Sequence, residues 1–501
     1  MRLCSGIAPV VKAGAMPDRL ENSKLMTSTR LLLAAALLSG HALPAYAQDT
    51  SQRRWLAGDH HVHSIYSARY EPDLEHPDRA PEPIIGGDSA HTILRNVQMA
   101  RRFGLDWMVS TDHGGPHHSA LNHDRAWPEV VAARRAVPEM TLFYGMEFDV
   151  PGGEHASLIL PKASDERGTL RDIEARFGKR EAFPADPSRN TKGRMIEALR
   201  YMAALPQPPV LIGNHPSRTA TGYGEWGLHA PAEYLAWKQA APNVVIGMEG
   251  APGHQAAAPQ NGKDKAHGSR GLYGGFPTMG GFDQMVARVG GAWDALLGKG
   301  LHWTITATSD SHGHWREGGA DFWPGEYSKT WVFAAPNHED ILDGLRGGRV
   351  FVATGGLIDR LDLKATLVDD SEHSAMMGGT LAARAGEEMD VTIRFRTAGK
   401  PNAAGQVPLV DHVDLIAGSA SAGDGDGNAS TRIVGRFTAG DWRSEGDVLV
   451  ITHRMKVPAG STYLRVRGSN TNQTEPQPDM IGEDPWSDLW FYSNPLYLKE
   501  K

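Results

Sequence analysis

The chain has 501 residues, 40% of them hydrophobic and 22% charged, with a formal net charge of -8. That balance suits a loop-rich globular protein of two or three domains, and the acidic excess argues against a protein that binds nucleic acid duplexes through charge. The only cysteine, Cys4, lies in a stretch read below as removed, which excludes thiolate nucleophiles and disulfides from the mature chain.

The first predicted element lies outside the fold. In "MTSTRLLLAAALLSGHALPAYAQD", Arg30 supplies a basic start, Leu31–Leu38 an apolar core and Ala45–Ala47 a small-residue cleavage site. The apolar run is too short for a permanent membrane anchor. Residues 1–47 are therefore read as a secretory signal, with Met16 or Met26 as the true start. Removing them takes away five basic and two acidic groups and brings the net charge to about -11. The expectation is a periplasmic or secreted protein without a membrane anchor.

The stretch "GDHHVHS" (58–64) follows. Histidines separated by one residue point to the same side of a strand, so His61 and His63 suit one metal ion. From about Trp55 to Thr354, apolar runs of strand length alternate with amphipathic helices, which predicts a parallel α/β architecture over 55–355. "GRMIEALRYMAAL" is one such helix, with Met195, Ile196, Leu199 and Met202 on a single face. After "FVATGG" the helices stop. Runs such as "MDVTIRFRT" and "TYLRVRGS" predict an all-β, sandwich-like domain over 356–501.

The polar residues fall at the ends of the predicted strands. "LDWMVS" leads to Asp112 and His113, "TLFYGM" to Glu147 and then His155, "PVLIGN" to His215, "VVIGM" to Glu249, and "WTITATS" to Asp310 and His312. Each has an ordinary alternative: His215 before Pro216 could end a strand, Asp310 could cap a helix, and Glu249 could pair with an arginine. Together they form a nitrogen–oxygen set without sulfur, as Zn, Mn or Fe prefers. In parallel α/β barrels the strand C-termini converge on one face, where catalytic groups gather.

On these motifs, over roughly Gly58–Thr354, the chain resembles the polymerase and histidinol phosphatase (PHP) family of metal-dependent hydrolases, in particular an exported branch with a C-terminal β-domain. The resemblance implies a distorted (β/α)7 barrel with two or three divalent ions. It implies His61, His63, Glu147 and Asp310 around one ion, Glu147 bridging to a second held by His155 and His215, and Asp88, His113 and His312 around a third. Asp88 is read as the displaced equivalent of the family's first-motif aspartate, because "ARYEPDLEHPDRAPEPIIGG" interrupts the usual spacing. His60 and Glu249 are read as supporting residues.

Two adjacent divalent ions lower the pKa of a shared water toward neutrality and supply a hydroxide nucleophile. No "GxSxG" elbow offers a serine alternative. Arg218 is the candidate phosphate clamp, and His314 and His117 are the candidate leaving-group acids. Aromatic loops bearing Tyr223, Trp226, Trp315, Phe322, Trp323 and Tyr327 suit a phosphodiester or monoester of a small organic or aryl alcohol. Carbamate or carboxylic-ester hydrolysis at the same site is the alternative. A metal-dependent module that binds glycan or cell wall through the β-sandwich is a third.

Overall fold

The computed structural model describes residues 52–253, 257–259, 268–270, 273–313, 321–423 and 425–501. The signal segment 1–47 and His314 lie outside the described residues. The described chain falls within one compact unit, residues 49–501.

Nine strands position the site: β1 (Arg54–Asp59), β2 (Trp107–Ser110), β3 (Thr141–Asp149), β4 (His155–Ile159), β5 (Val210–Gly213), β6 (Val245–Ala251), β7 (Thr304–Ala307), β8 (Ser328–Ala334) and β9 (Val350–Thr354). They lie side by side in the order β7-β6-β5-β4-β3-β2-β1-β8-β9, and the sheet continues through the C-terminal strands Trp490–Ser493, Thr462–Ser469, His412–Ser419 and Arg432–Thr438. Pairing is parallel for β1–β2, β2–β3, β5–β6 and β6–β7. Helices span these connections, as parallel crossovers require. Among them are Ile93–Arg102, capped by the Thr92 side chain, and Pro231–Ala240.

The expected parallel arrangement fails at β8 and β9, which run antiparallel to β1 and to β8 respectively, and within the strand–helix region at β4, which runs antiparallel to both β3 and β5. At β4 the cause is loop length. Residues 150–154 are too few for a crossover, so the chain must reverse. Gly152 makes the turn at φ +69°, where a Cβ would also stand 2.6 Å from the Lys192 backbone nitrogen. The result is a mixed sheet.

Neighbouring residues on these strands are buried on opposite faces, as in sheets covered on both sides. Leu56, Trp107, Val109, Phe143, Ile212 and Ile246 pack with Ile341 and Leu345 of the helix His338–Arg346. Ala57, Met108, Leu142, Tyr144, Leu211 and Met248 pack toward the surrounding helices. A parallel bridge between Val62 and Ser311 brings the chain just past β7 against the chain just past β1. The buried edge of β7 that no strand pairs is answered by side chains: Thr330 Oγ1 accepts from Ala307 N at 2.8 Å, and Asn494 Oδ1 from Ile305 N at 2.8 Å. This is a way of closing an otherwise reactive sheet edge.

Beyond β9, a second, all-antiparallel sheet comprises Ser374–Met376, Ile358–Leu367, Glu388–Thr397, Val448–Lys456 and Arg443–Glu445 in that order. Leu361, Leu363, Val391, Ile393 and Ile451 from it share a core with Val413, Leu415, Leu464, Val466 and Phe491 from the first sheet. The strand alternation read from the sequence is what builds this core.

One buried ion pair ties the helix Ala292–Gly298 to the strand Thr462–Ser469. Arg465 donates to both oxygens of Asp294, at 2.9 and 2.7 Å, and Tyr463 adds a third bond. Both charges are essentially excluded from solvent, so removing one strands the other. Asp294→Ala is expected to cost about 3–5 kcal/mol in a urea unfolding series, while a surface change such as Arg454→Ala should leave the unfolding midpoint close to that of the wild type.

Candidate metal centre

The reversed β4 matters because it brings His155, at the start of its strand, to the same end of the sheet as Glu147, near the end of β3. Residues just beyond the C-terminal ends of β1, β2, β5 and β7 supply His61 and His63, His113, His215, and Asp310 and His312. These segments converge on one buried cluster.

Glu147 is its hub. Its Oε1 lies 3.1 Å from His61 Nε2, 2.9 Å from His155 Nδ1 and 3.0 Å from His215 Nε2. Its Oε2 lies 3.6 Å from His63 Nε2 and 3.8 Å from His113 Nε2. Asp310 Oδ1 sits 3.0 Å from both His61 Nε2 and His63 Nε2. Asp88 Oδ2 is 3.1 Å from His113 Nε2 and 3.6 Å from His312 Nε2. The insertion loop thus delivers Asp88 to the cluster.

The donors sort into three overlapping groups able to hold metal ions: His61, His63 and Asp310; Glu147, His155 and His215; and His63, His113 and His312. Within each group the ligand atoms lie within 4.8 Å of one another. The chemistry of the donors fits an ion better than it fits the protein alone. Both Asp310 carboxylate oxygens, His63 Nε2, His155 Nδ1 and His215 Nδ1 are buried without a hydrogen bond. Several of these atoms sit within 3 Å of an oppositely charged partner, yet they do not aim at it as a hydrogen bond requires. Buried polar atoms left this way are costly unless something else satisfies them. The backbone is strained at the same place: His215 and Asp310 take φ of +29° and +47°, conformations that persist only where surrounding structure enforces them.

A second layer orients the cluster. Glu249 Oε1 faces His61 Nδ1 at 2.7 Å and also accepts from Thr308 Oγ1, while its Oε2 accepts the His215 backbone N–H. Carboxylates behind histidines fix the ring and its tautomer. Asp112 takes the amide and hydroxyl of Ser64 and the hydroxyl of Ser67, and Ser67 Oγ meets His63 Nδ1 at 2.8 Å. Asp59 accepts the amides of His61 and Ser309 and so ties two donor-bearing loops together. His60 faces away, with Nε2 on Thr306 Oγ1 at 2.8 Å.

Protonation follows from this packing. Burial alone would raise the Glu147 carboxyl; the charges of His155 and His61 and the bond from His215 outweigh it and hold it well below the usual range. Asp310 is likewise held low against burial, by His61, His63 and His312. Burial and the His312 charge push His63 down to about 3, leaving it neutral with a free lone pair. Burial works against the charged form of His155 and His312 too, but Glu147 lifts His155 to about 8, and Asp88 with Asp310 lifts His312 to about 9.

Of the candidate substrate groups, Arg218 stands beside the cluster in an ion pair with Glu154. Glu147 and Asp310 contribute to holding its guanidinium charged. His117 is exposed, in a left-handed conformation with φ +58°, and no hydrogen bond or ion pair joins its ring to the cluster. Of the aromatic loop residues, Phe322, Trp323 and Tyr327 are buried, and Phe322 and Tyr327 pack with Trp486. Three further contributors do not figure among the candidates read from the sequence. Asn214 donates to Glu147 Oε1 at 3.1 Å, Asp149 lies 3.3 Å from His155 Nε2, and Arg180 lies 3.0 Å from His113 Nδ1. Asn214 adjoins a candidate ligand and was findable; Arg180, 67 residues from His113, was not.

No protein-family profile matches the chain, and no curated protein matches it. Buried histidine-rich clusters at the C-terminal ends of parallel strands suggest a metal hydrolase site.

Two outcomes follow from the geometry. Glu249→Gln should lower metal affinity about 10- to 100-fold, read by competition with a chromogenic chelator. In the metal-free protein, His155 and His312 have pKa values above the unfolded value of 6.5. Their stabilising contribution is full below pH 6.5 and is lost as pH rises through 8 to 9. Metal must displace those protons, so its affinity should climb over the same interval. Melting curves with and without metal from pH 6 to 9.5 check both: the metal-induced gain in Tm should widen as pH rises.

Proposed function

We propose that this chain is a metal-dependent phosphoesterase of the PHP type, acting on phosphodiesters, and also on monoesters, of small organic or aryl alcohols. In this reading β1 to β7 close as a distorted seven-stranded barrel. The Val62–Ser311 bridge is the contact that supports closure. The observation that carries the function is the placement of Glu147. Its Oε1 meets His61, His155 and His215, and its Oε2 approaches His63 and His113. A single carboxylate shared this way is what neighbouring ions in a two-metal hydrolase need.

When bound, two or three Mn, Zn or Fe ions would supply Lewis acidity and water activation near neutral pH. The chain's own residues do the rest. His61, His63, Glu147, His155, His215 and Asp310 would hold the ions at the centre, and Asp88, His113 and His312 would hold a third. Glu249, Asp112 and Ser67 keep the imidazoles oriented. Arg218, positioned by Glu154, binds a phosphoryl oxygen. Neither a thiolate nor a serine elbow is required. The signal-like N-terminus supports an exported, periplasmic or secreted protein. Among the described residues no helix is long and apolar enough to cross a membrane.

The test pairs metal analysis of the purified protein with turnover of bis(p-nitrophenyl) phosphate, p-nitrophenyl phosphate and p-nitrophenyl acetate. The expected result is two or three divalent ions per chain and chelator-sensitive phosphoester cleavage, abolished in His63→Ala. Ester cleavage without phosphoester cleavage would move the assignment to carbamate or carboxylic-ester hydrolysis. Absence of bound metal, with no rescue by Mn or Zn, would overturn it.

A further inference from the structure

Beside Asp88 and His113 opens a groove of about 530 Å³, lined among others by Tyr70, Arg180 and Phe183. Asp88 and His113 of the cluster are among its lining residues, so the groove adjoins the candidate metal centre. Asp88 is paired with His113 and His312, which offsets its charge toward an anionic ligand. Lys179 also lines the groove, but its ammonium is turned onto the carbonyls of Gly153 and Glu154.

Arg180 is fixed by two contacts. Its Nε lies 2.8 Å from Asp149 Oδ1, and its Nη2 lies 3.0 Å from His113 Nδ1, the ring nitrogen opposite the one that faces Asp88. Neither involves Nη1, and the side chain is 44% exposed. A guanidinium held through Nε still presents part of its planar fork, which matches the spacing of two phosphoryl oxygens. The segment bearing it is fastened down by Glu181. That carboxylate accepts the amide and hydroxyl of Ser119, and the Glu181 carbonyl accepts the His117 amide at 2.9 Å. Tyr70 reaches its place because position 115 is glycine: a Cβ there would stand 2.9 Å from the Tyr70 ring. The groove therefore joins a preset cation at the cluster to two aromatic rings.

We propose that this groove receives the organic group of an aryl phosphoester and that Arg180 determines specificity by binding a non-bridging phosphoryl oxygen. The inference rests on the phosphoesterase reading and sharpens it. A neutral carboxylic ester or carbamate carries no anionic oxygen for Arg180 in its ground state, so Arg180 favours charged phosphoesters over neutral esters.

The test uses the full chain loaded with Mn or Zn. Phenylphosphonate and inorganic phosphate are titrated calorimetrically into wild type, Arg180→Met, Arg180→Lys and Phe183→Ala. Kinetics are run in parallel on p-nitrophenyl phosphate and p-nitrophenyl acetate. Arg180→Met should weaken phenylphosphonate binding about tenfold or more and raise KM for the phosphate ester to match. Its kcat/KM for the acetate should fall far less than that for the phosphate ester, with metal content measured on the same samples. Phe183→Ala should weaken phenylphosphonate but leave inorganic phosphate within about twofold. If Arg180→Met loses metal or melts early, Arg180→Lys carries the comparison: it keeps the charge beside Asp149 but not the fork, and should still weaken phenylphosphonate about threefold or more. Wild-type binding and phosphoester turnover that persist unchanged in both Arg180 variants would overturn this inference alone. A wild type that neither binds phenylphosphonate nor cleaves phosphoesters would overturn the phosphoesterase reading and this inference with it.

Discussion

The buried carboxylate of Glu147 is the constraint around which the molecule is arranged. A carboxylate that is 2% exposed costs several kcal/mol unless opposite charge or hydrogen bonds surround it. Here the compensation comes from imidazoles carried on separate stretches of chain, past β1, at the start of β4 and past β5. Each of those stretches must therefore end at the same face of the sheet. The mixed order of strands, including the reversal at β4, is the arrangement that meets this demand.

Holding so many polar groups together needs a frame, and the frame is made of carboxylates that take no part in the centre itself. Asp59 gathers the amides of His61 and Ser309, Asp112 gathers Ser64 and Ser67, and Glu249 links the His61 ring to the His215 backbone. These bonds account for how His215 and Asp310 are kept at positive φ. A single such residue costs about 1–3 kcal/mol, which a few charge-assisted bonds to backbone amides offset. Rigidity at the site is thus purchased by the layer behind it, and the donors are left facing one another with unsatisfied atoms.

Much of this was legible in the sequence because burial forces a pattern. Strands covered on both faces read as apolar runs, so the polar residues that follow each run stand out. His61, His63, His113, Glu147, His215, Asp310 and His312 were all visible on that ground. The β-alternation of "MDVTIRFRT" was visible for the same reason, and its inward residues Val391, Ile393 and Phe395 form the second core. What the pattern hid was direction. Asp112 and His113 are adjacent and equally polar, yet one enters the cluster and the other turns to Ser64 and Ser67. Arg180, in the short stretch "GKREAF" after a helix, carries no periodic signal at all.

The sequence by itself determined which residue types could bind a metal and at which strand ends they would lie, because alternation and strand length are local properties of the chain. It also marked where strand–helix alternation gives way to strands alone, after Thr354. Only the tertiary structure decided which of those residues meet. Direction of β4, the approach of β7 to β1, and the arrival of Asp88 and Arg180 beside His113 depend on contacts between segments far apart in sequence. No local periodicity encodes such contacts; they are selected by the energy of the whole packed arrangement.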